Sequence, residues 1–278
     1  MLQIRIMRLQ DIPYALRLTE QEKWGVTRAD LIRILKLDPR GAFVAAMGLR
    51  RVGLITTTRY GRKLAWIGNV IVDRKYRGAH IGQSLVQNAL RYLQKSNAKH
   101  IALYCFDENV RFYRRLGFVR DAPFVRLRRK PTRVPPTSSA HLGLRGSPLE
   151  GVLSLDRRTF GADRSQLIRM VLRSKFGRYL SSSDSYLLVK ESREMCEIGP
   201  WVCSRQSKAQ ASEMLDLALC IFGGKPIEVS CLRNHRAYGL FRKRGFRVMS
   251  HGYRMYFGRT ARIGHPAANF AFGFLDKG

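Results

Sequence analysis

Three groups of residues in this 278-residue chain have the types and spacing to do chemistry. The first is the turn Arg77-Gly-Ala-His-Ile-Gly82, which sits between the apolar run Ile67-Gly-Asn-Val-Ile-Val72 and a periodic set at Ile81, Leu85, Val86, Ala89, Leu90 and Leu93. That period marks one face of a helix. A turn at a helix start leaves main-chain N–H groups unpaired and aimed outward, and the helix dipole adds positive potential there. With two glycines and an arginine, the turn suits a pyrophosphate. The second is Tyr113, in Tyr113-Arg-Arg-Leu-Gly117-Phe118, whose phenol either donates a proton as a general acid or packs its ring beneath a sheet. The third is Glu20-Gln-Glu22-Lys-Trp24, in which two carboxylates and a ring face would hold an amine cation, or in which both glutamates are solvated and the tryptophan packs.

The elements that must position these groups follow from the apolar pattern. A strand from Ala65 to Val72, a basic turn from Asp73 to His80, a helix from Ile81 to Lys95, a short strand from His100 to Tyr104 and a further helix lead to Gly117-Phe118. Upstream, Gln3 to Arg8 alternates as a strand, and Asp11 and Pro13 open a helix. Thr27 caps a second helix, and Phe43 to Ala46 and Val52 to Tyr60 form a strand meander.

The second half repeats the first. Setting Val202 on Val72 (202 − 72 = 130) places Leu215 on Leu85, and Gly245-Phe246 matches Gly117-Phe118 at an offset of 128 (245 − 117). The repeat divides the chain into a domain over 1–128, a basic Pro/Ser-rich linker over 129–149 and a second domain over 150–278. Ser207, Lys208, Gln210 and Ser212 occupy the slots of Arg77, Gly78, His80 and Gly82, and Phe241 occupies that of Tyr113. No glycine there lets an anion reach the amides, and no phenol can donate. Asp163 and Arg164 either pair with each other or line a groove. Asn269 to Leu275 alternates as a final strand or docked segment.

In the first half these residues resemble the GCN5-related N-acetyltransferase (GNAT) superfamily, with Arg/Gln-x-x-Gly-x-Gly/Ala after a strand and a later Tyr-x-x-x-Gly-Phe. His80 stands where the family usually has its first glycine. The second half resembles the C-terminal GNAT-like domain of two-domain acetyltransferases, which carries L-D-x-x-x-F-G-A-D-R and I-G-P in this order. The resemblance implies an α/β (α+β) protein of tandem GNAT folds, each a mixed, mostly antiparallel sheet flanked by helices. It implies acetyl transfer from acetyl-coenzyme A (acetyl-CoA) to an amine of a small molecule or protein by direct attack in a ternary complex. Val70, Ile71 and Val72 would offer main-chain groups to the pantetheine arm, with an N–H near Ile71 or Val72 polarising the thioester carbonyl. Arg77, Gly78, Ala79, His80, Ile81 and Gly82 would wrap the pyrophosphate, and Tyr113 would protonate the departing thiolate.

Glu20, Glu22 and Trp24 would lie on the acceptor wall. Many members carry N-x-x-A before the tyrosine; here those slots hold Phe106 and Asn109, and Asn109 is the cofactor-contact candidate from this side. Asn69, not a carboxylate, lies on the central strand, so a water chain, Glu20 or Glu22 would have to serve as base. The alternative is a GNAT scaffold that binds a coenzyme A species or nucleic acid without turnover.

Composition adds a net charge of +31, from 51 Lys and Arg against 20 Asp and Glu. A field of this sign attracts nucleic acid, ribosomes, anionic membrane or acidic proteins, or reflects solvated faces alone. The five cysteines are odd in number and lack C-x-x-C spacing, which suggests neither a disulfide framework nor a metal site. No apolar run is long enough to span a bilayer and the first residues lack a secretory apolar stretch, so a soluble, cytoplasmic protein is expected.

Overall fold

In the computed structural model, which describes residues 1–132, 148–204 and 208–278, the apolar run that opens the site is a strand buried along almost its whole length. The first half comprises β1 (Leu2–Ile6), α1 (Ile12–Gln21), α2 (Arg28–Leu37), β2 (Ala42–Met47), β3 (Arg50–Tyr60), β4 (Leu64–Val72), α3 (Ile81–Lys95), β5 (Ile101–Phe106), α4 (Val110–Arg115) and β6 (Phe118–Arg129). The second half comprises α5 (Leu149–Phe160), α6 (Ser165–Leu172), β7 (Gly177–Ser181), β8 (Ser185–Glu191), β9 (Cys196–Cys203), α7 (Lys208–Phe222), β10 (Ile227–Leu232), α8 (Arg236–Lys243), β11 (Arg247–Phe257) and β12 (Asn269–Ala271). Most of the predicted linker, together with Ser207, lies outside the described residues. Among the described residues no helix is long and apolar enough to cross a membrane.

The two halves share one sheet, in the order β1-β2-β3-β4-β5-β11-β6-β10-β9-β8-β7, with β12 on β9. The order contains an exchange. Strand β11 of the second half lies between β5 and β6 of the first, antiparallel to both, while β6 lies between β10 and β11 of the second. Each half therefore completes its sheet with a strand from the other, and a cut at the linker would expose edges on both sides.

Helices cover both faces. The apolar face of α3 packs Ile81, Leu85, Val86, Ala89 and Leu93 on the sheet beside Tyr113 and Phe118, while α1 and α2 bury Ile12, Leu18, Leu31 and Ile34 against Leu54 and Ile71. The residues Val152, Leu155, Leu167 and Ile168 of α5 and α6 reach across to Tyr60, Leu64 and Trp66 of the first half. This shared core joins the halves by apolar burial as well as by strand exchange.

Candidate active site

Strands β4 and β5 run parallel but pair only at Ala65–Ile101 and Trp66–Ala102. Beyond those pairs they diverge, and no strand of the described residues pairs with the edge of β4 from Ile67 to Val72 on that side. The divergence opens a cavity of about 740 Å³ lined by Ile67 to Val72, by Tyr104 to Phe106 and by the turn before α3. On its other edge β4 bulges against β3 between Gly68 and Ile71, and Asn69 adopts a left-handed backbone (φ 49°). Such a bulge re-aims side chains out of the strand's regular alternation.

The equivalent place in the second half is filled. Strands β9 and β10 also pair briefly in parallel, from Cys196–Ile227 to Ile198–Val229. There β12 enters: Asn269 and Ala271 pair with Val202 and Trp201 of β9, and Phe272 N–H donates to Ser230 O of β10 at 2.8 Å. Phe270 is fully buried against Trp201 and His235, with ring centroids 5.0 and 4.9 Å away. The alternating segment read in the sequence is thus a strand that occupies the second half's cleft, and Phe241 lies in the core against Trp201 and Phe246. Of the phosphate-loop slots there, Ser207 falls outside the described residues.

The turn before α3 carries two residues of left-handed backbone. Gly78 (φ 85°) and His80 (φ 54°) are both left-handed, and His80 is the N-cap of α3 with no side-chain cap, its ring exposed. A left-handed backbone explains the expectation of glycine at this slot, since a Cβ costs roughly 1 kcal/mol there. Val70, Ile71, Val72, Arg77, Gly78, His80, Ile81 and Gly82 all line the cavity, as does exposed Asn109 at the start of α4; Ala79, also exposed, does not. Arg77 Nη2 bonds Glu22 Oε1 at 2.7 Å and Nε bonds Val72 O at 3.1 Å.

Glu22 is also held by Arg74 at 3.1 Å. Burial opposes its charge, but the two guanidiniums prevail and keep its carboxyl below the usual range. It therefore ties the α1–α2 loop to the turn before α3. Trp24 lines the cavity, whereas Glu20 is exposed outside it.

Tyr113 is brought to the cavity by α4, its ring set edge-on to Phe112 and Phe118 at 5.0 and 5.7 Å. Burial, with a smaller contribution from Cys105, pushes its phenol well above the ordinary value. It therefore keeps its proton at neutral pH. The hydroxyl has no hydrogen-bond partner among the described residues and is not one of the sealed unpartnered atoms, which belong to Tyr14, Thr58, Arg129 and Trp201. It opens on the cavity.

The far end of the cavity is built by residues distant in sequence. Lys190 on β8 bonds Glu197 on β9 at 2.9 Å and reaches Asp30 on α2 at 3.5 Å. Burial works against the charge on Asp30, but Lys190, Lys277, Thr27 and Arg33 together hold it far below the carboxylate range. After β12 the chain turns and lays Phe274 to Lys277 over β4. Trp66 Nε1 donates to Leu275 O at 3.1 Å, Tyr60 Oη to Lys277 O at 2.5 Å and Asn69 Nδ2 to Asp276 Oδ2 at 3.0 Å. A Cβ at Gly68 would overlap the main chain of Asp276, so glycine allows this crossing.

Buried Arg164 on the second half's L-D-x-x-x-F-G-A-D-R stretch clamps the same segment through Gly278 O at 2.8 Å. The expected Asp163–Arg164 pair does not form. Arg164 instead pairs with buried Asp156, which Tyr186 also bonds, while Asp163 meets Arg157 at the surface at 3.4 Å. Adjacent positions could not share the geometry: Asp163 bonds the N–H of Ser165 at the start of α6, and Arg164 turns inward.

Residues 8–118 match the acetyltransferase (GNAT) family and residues 152–267 match an acetyltransferase (GNAT) domain. Together with the fold, these matches define the chain as a member of the GNAT acetyltransferase superfamily, in its tandem form. A putative acetyltransferase from Pyrococcus horikoshii has the same fold with a TM-score of 0.84 at 21% identity, covering 100% of this chain and 96% of that one. A GCN5-related N-acetyltransferase from Sphaerobacter thermophilus gives 0.68 at 13% identity, covering 98% and 97%. In sequence, an uncharacterized N-acetyltransferase of Methanocaldococcus jannaschii is 31% identical over 94 residues, 31% of this chain and 42% of that protein. A histone acetyltransferase of Glycine max is 33% identical over 72 residues, 26% and 31% of the two chains. The chain spans less than half the length of these curated relatives.

Proposed function

We propose that the chain is an acetyl-CoA-dependent N-acetyltransferase with its single acyl-donor site in the first half. The observation that carries this is the contrast between the two clefts: the edge of β4 beside the phosphate turn is open, while the equivalent edge of β9 is paired with β12. An extended pantetheine arm pairs with a free strand edge as another strand would. The pyrophosphate sits on the amides of residues 77–82 at the start of α3. Val70, Ile71 and Val72 hold the arm, and an N–H at Ile71 or Val72 polarises the thioester carbonyl.

The acceptor amine attacks the carbonyl carbon directly, the C–S bond breaks, Tyr113 gives its proton to the sulfur, and the proton shed by the nitrogen offsets the one the phenol gives up. Lys190, Glu197 and the segment 274–277 form the acceptor wall, which would assign the second half the shaping of that wall. The test is release of free thiol from acetyl-CoA by the intact protein in the presence of primary amines: alkylamines, amino-acid amides and lysine peptides. Amine-dependent release is expected; binding of acetyl-CoA with no release for any amine refutes the transferase.

A further inference from the structure

The sequence offers no base on the central strand, and the structure places a carboxylate there from 207 residues away. We infer that Asp276 is the acceptor-side base of the acetyl transfer. The inference rests on the transferase reading of the cavity.

The two carboxylate oxygens of Asp276 differ. Oδ2 accepts from Asn69 Nδ2 at 3.0 Å and from Lys277 Nζ at 2.5 Å, which fixes the side chain over the bulge of β4. Oδ1 has no hydrogen-bond partner among the described residues. Both residues line the cavity, with the Lys277 side chain 2% exposed and that of Asp276 21% exposed. One oxygen is thus bound and oriented, and the other has no partner among the described residues, on a side chain that lines the cavity.

Of the other carboxylates that line the cavity, Asp30 has both oxygens bound, by Thr27, Arg33 and Lys190. Glu22 is bound through Oε1 by Arg74 and Arg77 on the turn before α3, Glu197 on β9 is bound through Oε2 by Lys190, and Glu108 is exposed beside α4. Asp276 differs from these in being fixed to Asn69 on β4 itself. The charged and titratable groups around Asp276 are Lys277, Lys190, Asp30, Glu197 and the Tyr60 phenol, whose hydroxyl bonds Lys277 O. Three main-chain oxygens of the segment are pinned by Trp66, Tyr60 and Arg164, so the position of Asp276 does not depend on its own side-chain contacts alone.

In the step itself, an ammonium acceptor donates a proton to Asp276 Oδ1, and the freed nitrogen lone pair forms the N–C bond. The C–S bond then breaks and Tyr113 protonates the sulfur. Asp276 ends protonated and Tyr113 ionised, and a proton passes between them through water to restore both. The nitrogen sheds its second proton to solvent water as the amide forms, so one proton is released overall and the charge balances.

The test compares wild type, Asp276→Asn, and the double variant Asp276→Asn/Lys277→Met, which removes the ammonium that the single change would leave buried and unpaired. Each is measured for acetyl-CoA affinity and for thiol release with one alkylamine from pH 6.5 to 9.5. Both variants are expected to bind acetyl-CoA within about twofold of wild type and to lose ~100-fold in amine-dependent release at pH 7. The deficit should shrink with rising pH, because the variant must draw free amine from solution, a fraction that grows about tenfold per unit below the amine's pKa. A deficit under about threefold at pH 7, or one that is the same at every pH, overturns the assignment while leaving the transferase intact. No amine-dependent release by wild type at any pH refutes the transferase, and Asp276 with it.

Discussion

Replacing Tyr113 with phenylalanine isolates the chemical role of one oxygen. The ring contacts with Phe112 and Phe118 survive the change. The hydroxyl bonds nothing among the described residues, so no protein partner is orphaned and folding stability should change by less than ~1 kcal/mol. Catalysis should respond differently. A positioned general acid contributes ~10²–10⁴ in rate, and a thiol of ordinary pKa near 8.5 leaves more readily than an alcohol, which favours the lower end. A loss of ~100-fold in kcat corresponds to about 2.7 kcal/mol of barrier.

The affinity for acetyl-CoA should stay unchanged, because the pyrophosphate turn and the β4 edge are untouched. Because burial raises the Tyr113 pKa, the acid stays protonated through the neutral range, and its ionisation should cause no fall in the wild-type rate below about pH 10. The assay is thiol release against pH, with acetyl-CoA binding measured by calorimetry on the same samples. A variant that keeps wild-type kcat, or one that loses affinity and rate in proportion, would refute the general-acid role.

Phe270→Ala should cost about 3–5 kcal/mol, since it empties a fully buried aromatic site between Trp201 and His235; a urea midpoint shift equivalent to under ~1 kcal/mol would show that β12 does not close the second cleft as described. Buried Asp11 accepts from Arg5, Arg51 and the Arg8 N–H. Burial opposes its charge, yet these partners hold its pKa at about 2 against an ordinary 3.8. A lowered folded-state pKa stabilises above the unfolded value and is lost as pH falls toward 2, so wild type should lose about 2 kcal/mol from this group between pH 5 and 2. Urea unfolding of Asp11→Asn beside wild type checks this: the gap should narrow by that amount on acidification, and a constant gap would contradict it.

Much of this architecture was legible because its signals are local. The apolar run Ile67–Val72, the basic turn and the helical period from Ile81 gave β4, the turn after it and α3 nearly to the residue, and the offset of about 130 residues exposed the repeat. What stayed hidden depends on pairing at long range. Phe118–Arg129 and Arg247–Phe257 each follow the Gly-Phe that ends the repeat in their own half, and nothing in their residues says that each inserts into the other's sheet. The far end of the cavity was missed for the same reason: Asp276 and Asn69 meet only through a segment that leaves β12 and crosses back over Gly68. The alternation of 269–275 was the one available clue. Asp163 next to Arg164 looked like a pair because proximity in sequence was the only proximity visible; the partner eight residues earlier, Asp156, lies on the preceding helix.

The number of acetyl-CoA molecules bound per intact chain, measured by titration calorimetry, bears most directly on the contrast between the open β4 edge and the β12-filled β9 edge. One equivalent is predicted, because a single cleft offers both a free strand edge and the phosphate turn. Two equivalents, or none, would contradict it.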